Sequence, residues 1–246
     1  MLKNLDCLGY VRSLPDNSID LVLTDPPYFI GYDGGKGWDS QWKNEKEYLD
    51  WCELWTKECV RVLKPNRMLI VFGTLKTDTF MRYKLDVLNN QPIKSQNEIV
   101  WSYNWGGRGK NNFARKHEYA WCYSKGDTFL FNADSVLVER KQKVNIRTGK
   151  DFEKGTIPTC VWEKNNHTTS KEYVNWHPTQ KPLMILERMI LAYTNEGDTV
   201  LDIFSGSGST MIAAYNTNRK FMGCEISEEY YNKSLDRFNN MCGLPI

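Results

Sequence analysis

The run Ile19-Asp20-Leu21-Val22-Leu23-Thr24, rich in aliphatic and β-branched side chains, ends abruptly at Asp25-Pro26-Pro27-Tyr28. Two consecutive prolines can neither donate ladder hydrogen bonds nor propagate a helix, so the turn terminates a buried strand. It leaves at the strand's carboxyl end a carboxylate, a carbonyl that no neighbouring strand can use, and an aromatic face. In an open α/β sheet, ligands bind beyond that end of the strands. A related segment comes late in the chain, where Leu201-Asp202-Ile203-Phe204 leads into Ser205-Gly206-Ser207-Gly208-Ser209-Thr210. A strand that turns on glycines into a helix can bind a nucleotide-type cofactor, or simply pack a helix closely against a strand.

The pattern around these segments alternates. Strands are expected at Leu2 to Leu5, Ile19 to Asp25, Arg67 to Gly73, Glu98 to Tyr103, Tyr119 to Ser124, Thr199 to Phe204 and Phe221 to Glu225. Helices are expected at Glu45 to Leu63, with Tyr48, Cys52, Trp55, Cys59 and Val62 on one face, and at Thr77 to Asn90, Leu183 to Thr194, Ser209 to Asn218 and Glu228 to Asn239. This rhythm predicts a mainly parallel sheet covered on both faces. Two stretches break it. Gly31 to Trp42 is glycine-rich and reads as a mobile loop; Gly126 to Trp176 is polar, irregular and basic.

At 246 residues the chain suits one domain, read as a catalytic half (1–125), an insertion (126–176) and a cofactor-binding half (177–246). A net charge of +2 does not announce a nucleic-acid partner, so any basic surface must be local. The seven cysteines are scattered without a C-x-x-C pair, which argues for reduced thiols rather than disulfides or zinc and for a cytoplasmic setting. No stretch has the length and apolarity of a membrane span, and the start lacks a signal-peptide pattern. Most of the nine Trp and thirteen Tyr suit core packing, with a minority left for stacking on bases.

Asp25-Pro26-Pro27-Tyr28 resembles motif IV of the DNA amino-methyltransferases, and the segment Leu201 to Thr210 resembles their cofactor motif I. Between them, Arg61-Val62-Leu63-Lys64-Pro65 is similar to motif V. Asn104-Trp105-Gly106-Gly107 to His117-Glu118-Tyr119 is similar to the strand preceding target recognition, and His177-Pro178-Thr179-Gln180-Lys181-Pro182 looks like motif X. The order resembles the β group, a circular permutation of the Rossmann-like S-adenosylmethionine-dependent sheet with a small inserted target-recognition region. Permutation is tolerable where chain ends lie at the surface and close together.

The resemblance implies an adenine-specific DNA methyltransferase that moves a methyl group from S-adenosyl-L-methionine to N6 of a flipped adenine in double-stranded DNA. Cytosine-N4 methylation and a non-catalytic DNA-binding descendant are the alternatives. Asp rather than Ser before Pro-Pro-Tyr looks more like the adenine enzymes. Asp25 and the Pro26 carbonyl would accept the amino hydrogens, Pro27 would shape the turn and Tyr28 would stack on the base. No metal is implied.

The implied cofactor site takes in Asp6, Cys7, Asp25, His177, Thr179, Lys181, Asp202, Phe204, Gly206, Ser207, Gly208 and Glu225. Lys181 and Thr179 would approach the methionine end, and Glu225, at the end of the next strand, would take ribose hydroxyls. Taken alone, Glu225 also reads as a solvated strand-end carboxylate, Asp6 as a strand-end cap, Phe204 as core and His177 as structural. Arg108, Lys110, Arg140, Lys141, Lys143 and Arg147 would contact DNA, although a charge run elsewhere is usually a solvated face. A homodimer and a cognate restriction endonuclease are further implied partners.

Overall fold

A computed structural model describes residues 1–106, 110–140, 155–165 and 170–243. Strand β1 (Leu2–Asn4) leads into helix α1 (Cys7–Arg12), then β2 (Ile19–Thr24), α2 (Glu45–Val62), β3 (Leu63–Gly73) and α3 (Asp78–Arg82). Next come β4 (Lys94–Ser102), β5 (His117–Ser124), β6 (Val161–Glu163), α4 (Leu183–Tyr193) and β7 (Thr199–Asp202). The described chain ends with α5 (Ser209–Asn216), β8 (Lys220–Glu225) and α6 (Glu228–Cys242).

The strands form one sheet in the order β1-β8-β7-β2-β3-β5-β4-β6. Pairing is parallel from β1 through β3; β5 runs antiparallel to both neighbours, and β6 is parallel to β4. All six residues of β2 are buried, as a strand covered on both faces requires. In β3, alternation sends Leu69 and Val71 to one face, with Trp55 and Phe80. Met68, Ile70 and Phe72 go to the other, with Met189 and Ile212. The expected face of α2 is the buried one: Tyr48, Cys52, Trp55, Cys59 and Val62 have no exposed surface. Asn44 starts that helix by accepting the Glu47 N–H at 3.0 Å, and the Lys125 ammonium closes it on the Val60 and Leu63 carbonyls.

Four expectations need correction. Thr77 to Asn90 is not one α-helix: after α3 the backbone widens into a π-turn (Tyr83–Val87) and tightens to a 3₁₀ turn (Leu88–Asn90), seating both Tyr83 and Leu88 in the core. The segment from Gly31 to Trp42 is anchored at its buried residues Asp33, Asp39 and Trp42, with most of the rest exposed. The Asp39 carboxylate accepts the N–H groups of Phe29, Ile30 and Tyr32, and Trp42 lies edge-on to Tyr48 at 4.9 Å. The stretch from 126 to 176 is not wholly irregular, since β6 extends the sheet and Ala133–Val136 makes a 3₁₀ turn. Finally, α1 stands where the pattern gives no helix. Asp6 caps it, accepting the Leu8 and Gly9 N–H groups at 2.9 and 3.0 Å.

The sheet order reverses between β7 and β2. Helix α5 carries the chain from β7 to β8 on one side, and β2 and β3 lie on the other. Crevices form at such a switch point, outside the carboxyl ends of the strands. Both motif turns project from those two central strands.

Candidate active site

A cleft of about 820 Å³ opens at the switch point. Every residue expected at the two motif turns and the cofactor site lines it except Gly208, which caps the start of α5 at φ +73°. Four buried side-chain polar atoms on residues that line this cleft lack a hydrogen-bond partner among the described residues: Trp38 Nε1, His177 Nδ1, Ser205 Oγ and Tyr230 OH. Leaving a buried polar group unpaired costs roughly 1–3 kcal/mol each. A concentration of them in one cavity marks a place where a polar ligand completes the bonding.

The two turns are joined directly. Thr24 Oγ1 donates to Asp202 Oδ1 at 2.8 Å, and the Phe204 N–H donates to the same oxygen at 3.1 Å. Burial raises the Asp202 carboxyl to about 6. Folding therefore favours its neutral form, and the associated stability is full below the ordinary value of 3.8 and is lost as pH rises through 6. Asp202→Asn is accordingly expected to gain stability over wild type by up to about 3 kcal/mol at pH 8 and almost nothing near pH 4. Urea unfolding at the two pH values checks this; equal stability at pH 8 would contradict it.

On the cofactor side, Glu225 is buried at the end of β8. Its two oxygens accept the Gly206 N–H at 2.8 Å and the Ser227 N–H at 2.9 Å, each keeping a second lone pair. Gly206 sits at φ +49°, and a Cβ there would meet His177 Nε2 at 2.6 Å. Desolvation holds His177 near 3, so the imidazole is neutral at physiological pH. Phe204 both lines the cleft and packs on Trp51 and Trp55, with ring centres 5.5 and 5.4 Å away. Asp6 likewise lines the cleft while capping α1. Burial pushes the Cys7 thiol up to about 12, so it stays protonated.

On the other side, Asp25 is engaged at both oxygens. Tyr28 OH donates to Oδ1, and the Lys181 ammonium pairs with Oδ2. Burial opposes the charge on Lys181, but Asp25 and Glu118 outweigh it and raise its pKa. Burial, then the Asp25 charge, push the Tyr28 hydroxyl well above its ordinary value, so it remains a donor. Tyr48 OH takes the Pro27 carbonyl at 2.8 Å, whereas the Pro26 carbonyl has no partner among the described residues. The ammonium of Lys181, the residue expected toward the methionine end of a cofactor, lies on the Asp25 carboxylate.

Glu118 was not singled out from the sequence. It stands on β5 with Oε2 3.3 Å from Lys181 Nζ. The only signal was an acid inside an otherwise aromatic strand, His117-Glu118-Tyr119-Ala120-Trp121. Elsewhere in the cleft, Tyr103 and Trp105 stack with ring centres 4.0 Å apart and line it together with Trp101. Of the residues expected at DNA, Lys110 is exposed and Arg140 is half-buried, while Arg108, Lys141, Lys143 and Arg147 lie outside the described residues. Among the described residues no His, Cys, Asp and Glu group could hold a metal, and no helix is long and apolar enough to cross a membrane.

The fold and cleft define a class: an α/β protein whose ligand cleft opens at the switch point and is lined by the turns of its two central strands. Comparison with known proteins narrows it. The family model described as DNA methylase, covering the N6 and N4 enzymes, matches residues 19–236. The chain is 33% identical over 231 residues to the type II methyltransferase M.HpaI of Haemophilus parainfluenzae, spanning 94% of this chain and 71% of that one. It is 34% identical over 247 residues to the DNA adenine methyltransferase YhdJ of Escherichia coli (strain K12), spanning 95% and 81%. Among solved structures, the cytosine-N4-specific PvuII DNA methyltransferase shares the fold with a TM-score of 0.77 at 22% identity, over 96% of this chain and 85% of that one. The chain belongs to the N6/N4 DNA methylase family.

Proposed function

We propose that this protein transfers a methyl group from S-adenosylmethionine to the exocyclic N6 of an adenine flipped out of double-stranded DNA. The observation that carries the reading is the placement of Asp25, beside a Pro26 carbonyl that has no partner among the described residues, in the same cleft as the Gly206 turn and Glu225. The relative named as a DNA adenine methyltransferase, YhdJ, supports adenine as the base.

The residues present fit the cofactor. Glu225 retains lone pairs for ribose hydroxyls, Ser205 Oγ and Tyr230 OH are unpartnered polar atoms in the same cavity, and the Gly206 backbone is free of a Cβ. When bound, the cofactor supplies a sulfonium methyl as the electrophile.

The amino lone pair of adenine is delocalised into the ring and is a poor nucleophile. Acceptance of its two hydrogens by Asp25 and by the Pro26 carbonyl pulls the nitrogen toward tetrahedral geometry and frees the lone pair. Asp25 is held for this by Tyr28 and Lys181, so its acceptor does not reorganise during the reaction. The barrier falls through positioning and electrostatics. A base inside a duplex cannot reach the cleft, and Tyr28, Tyr103 and Trp105 offer faces that offset part of the unstacking. Expression in a host free of DNA methylation, followed by modification-sensitive sequencing, tests the proposal: N6-methyladenine in one short sequence context is expected, and unmodified DNA would refute it.

Sequence choice belongs, on this reading, to the basic stretch from 126 to 176. Replacing Arg140, Lys141 and Lys143 with Ala is expected to weaken DNA binding and flatten its salt dependence, by up to about one in slope for each phosphate no longer neutralised. Binding isotherms at several salt concentrations that match wild type would remove the cluster from the interface. A homodimer and a companion restriction endonuclease belong to the same proposal, and sedimentation velocity checks the first.

A further inference from the structure

We infer that Lys181 reads the target base: its ammonium donates a hydrogen bond to the ring nitrogen adjacent to the exocyclic amine. The inference rests on the reading of the cleft as the pocket for a flipped amino-bearing base, and adds to it a residue that selects that base.

Lys181 is 5% exposed and lines the cleft. An ammonium carries three N–H donors and no acceptor. One lies on Asp25 Oδ2, and a second faces Glu118 Oε2 at 3.3 Å. The third has no acceptor among the described residues; its remaining neighbours are the faces of Tyr28 and Phe72, with ring centres 5.6 and 5.2 Å from Nζ. A buried cation anchored by two carboxylates, on a residue that lines the cleft and with a third donor that meets no acceptor among the described residues, can serve an acceptor on a ligand.

The neighbouring group fixes which acceptor. Asp25 offers a carboxylate immediately beside the ammonium, so the wall presents an acceptor and a donor side by side. The complementary edge of a base has a donor beside an acceptor. Adenine shows that pair as its N6 amine and N1, and cytosine as its N4 amine and N3. Guanine and thymine show the reverse, a carbonyl beside a ring N–H, and would set oxygen against Asp25 and N–H against Lys181. A site built to pair a polar group rejects an analogue that leaves it unpaired. Lys181 thereby admits amino-bearing bases and excludes keto bases, while Glu118 positions it by holding the ammonium against Asp25.

The contact is made in the ground state, so it appears in substrate selection more than in the rate of the bound complex. The test is a competition between two duplexes, each with its target base opposite an abasic site so that extrusion is equally easy. One carries adenine and the other 1-deazaadenine, which keeps the amine but replaces N1 with C–H. The ratio of kcat/KM values is compared between wild type and Lys181→Met. Because the analogue also differs in intrinsic nucleophilicity, the change in ratio isolates the contact, as in a double-mutant cycle. The ratio is expected to fall by about tenfold in Lys181→Met, the scale of one hydrogen bond to a charged group. The same ratio in both proteins would overturn the inference.

Should the variant fail to fold, wild type alone decides. Adenine labelled with ¹⁵N at N1 is expected to show an upfield N1 resonance in the complex with protein and S-adenosylhomocysteine, relative to free duplex and by more than its N3. An N1 shift no larger than that of N3 would overturn the contact. Methylation of neither duplex by wild type would overturn the adenine reading itself, an outcome distinct from equal ratios.

Discussion

Asp25→Ala is expected to fold, to bind cofactor and DNA nearly as wild type does, and to lose turnover by about a hundredfold or more. The fold should survive because Asp25 lies beyond the end of β2, and none of the backbone bonds that hold the strand depends on it. DNA affinity should survive because phosphate contacts dominate it. The loss falls on chemistry, since acceptance of an amino hydrogen matters most as the lone pair is freed in the transition state. Removing one preorganised partner at a developing charge typically costs two to three orders of magnitude. The variant also frees the Tyr28 hydroxyl and leaves Lys181 with Glu118 alone, so its disorganised pocket should not be rescued by higher DNA concentration. Asp25→Asn keeps an acceptor but surrenders the charge that pairs with Lys181, and its turnover should lie between the other two or near Ala. Single-turnover methylation with saturating DNA and cofactor measures this, and a wild-type rate in Asp25→Ala would end the mechanism.

Gly206→Val is expected to abolish measurable cofactor binding, a loss of at least about a hundredfold. Two independent effects add there. The residue sits at φ +49°, where a β-branched side chain is strained. A Cβ would also press to 2.6 Å from His177 Nε2, forcing apart the loop before α4 and the turn before α5. Either movement shifts the Gly206 N–H away from Glu225 Oε2 and takes the ribose acceptor with it. Glu225→Ala should lose less, since it removes the acceptor but leaves the turn's shape. Calorimetric titration with S-adenosylmethionine separates the two. Unchanged affinity in both variants would place the cofactor elsewhere.

These effects depend on residues that differed in how far the sequence alone exposed them. The strands announced themselves where burial is symmetric: β2 is apolar enough to read as a strand covered on both faces, and its prolines mark its end. Helix α2 was legible to its buried face because one side of an 18-residue helix repeats cleanly. Helix α1 was not, because six residues containing Gly9 give too short a window for periodicity, and its start rests on one Asp6 carboxylate. The π-turn after α3 left no mark either. It arises from seating Tyr83 against Trp55 and Thr56, contacts made with a helix that lies earlier in the chain.

The site divided along the same line. Asp25, Gly206 and Glu225 were found because each sits at a fixed offset within one strand-turn unit. The pairing of Lys181 with Asp25 and Glu118 joins three elements separated by up to 156 residues, and nothing local encodes it. Glycines at 31, 34, 35 and 37 suggested mobility in the loop after Tyr28, yet two aspartates and Trp42 decide its state: Asp39 gathers three backbone N–H groups, and Asp33 accepts that of Gly35.

On this reading the cleft methylates the exocyclic amine of adenine. Purified protein, incubated with duplex DNA of mixed sequence and isotopically labelled S-adenosylmethionine, can be followed by digestion and mass spectrometry of the released nucleosides. Label in N6-methyladenine, and its loss with Asp25→Ala, is the predicted result; label in N4-methylcytosine alone, or in no nucleoside, would contradict it.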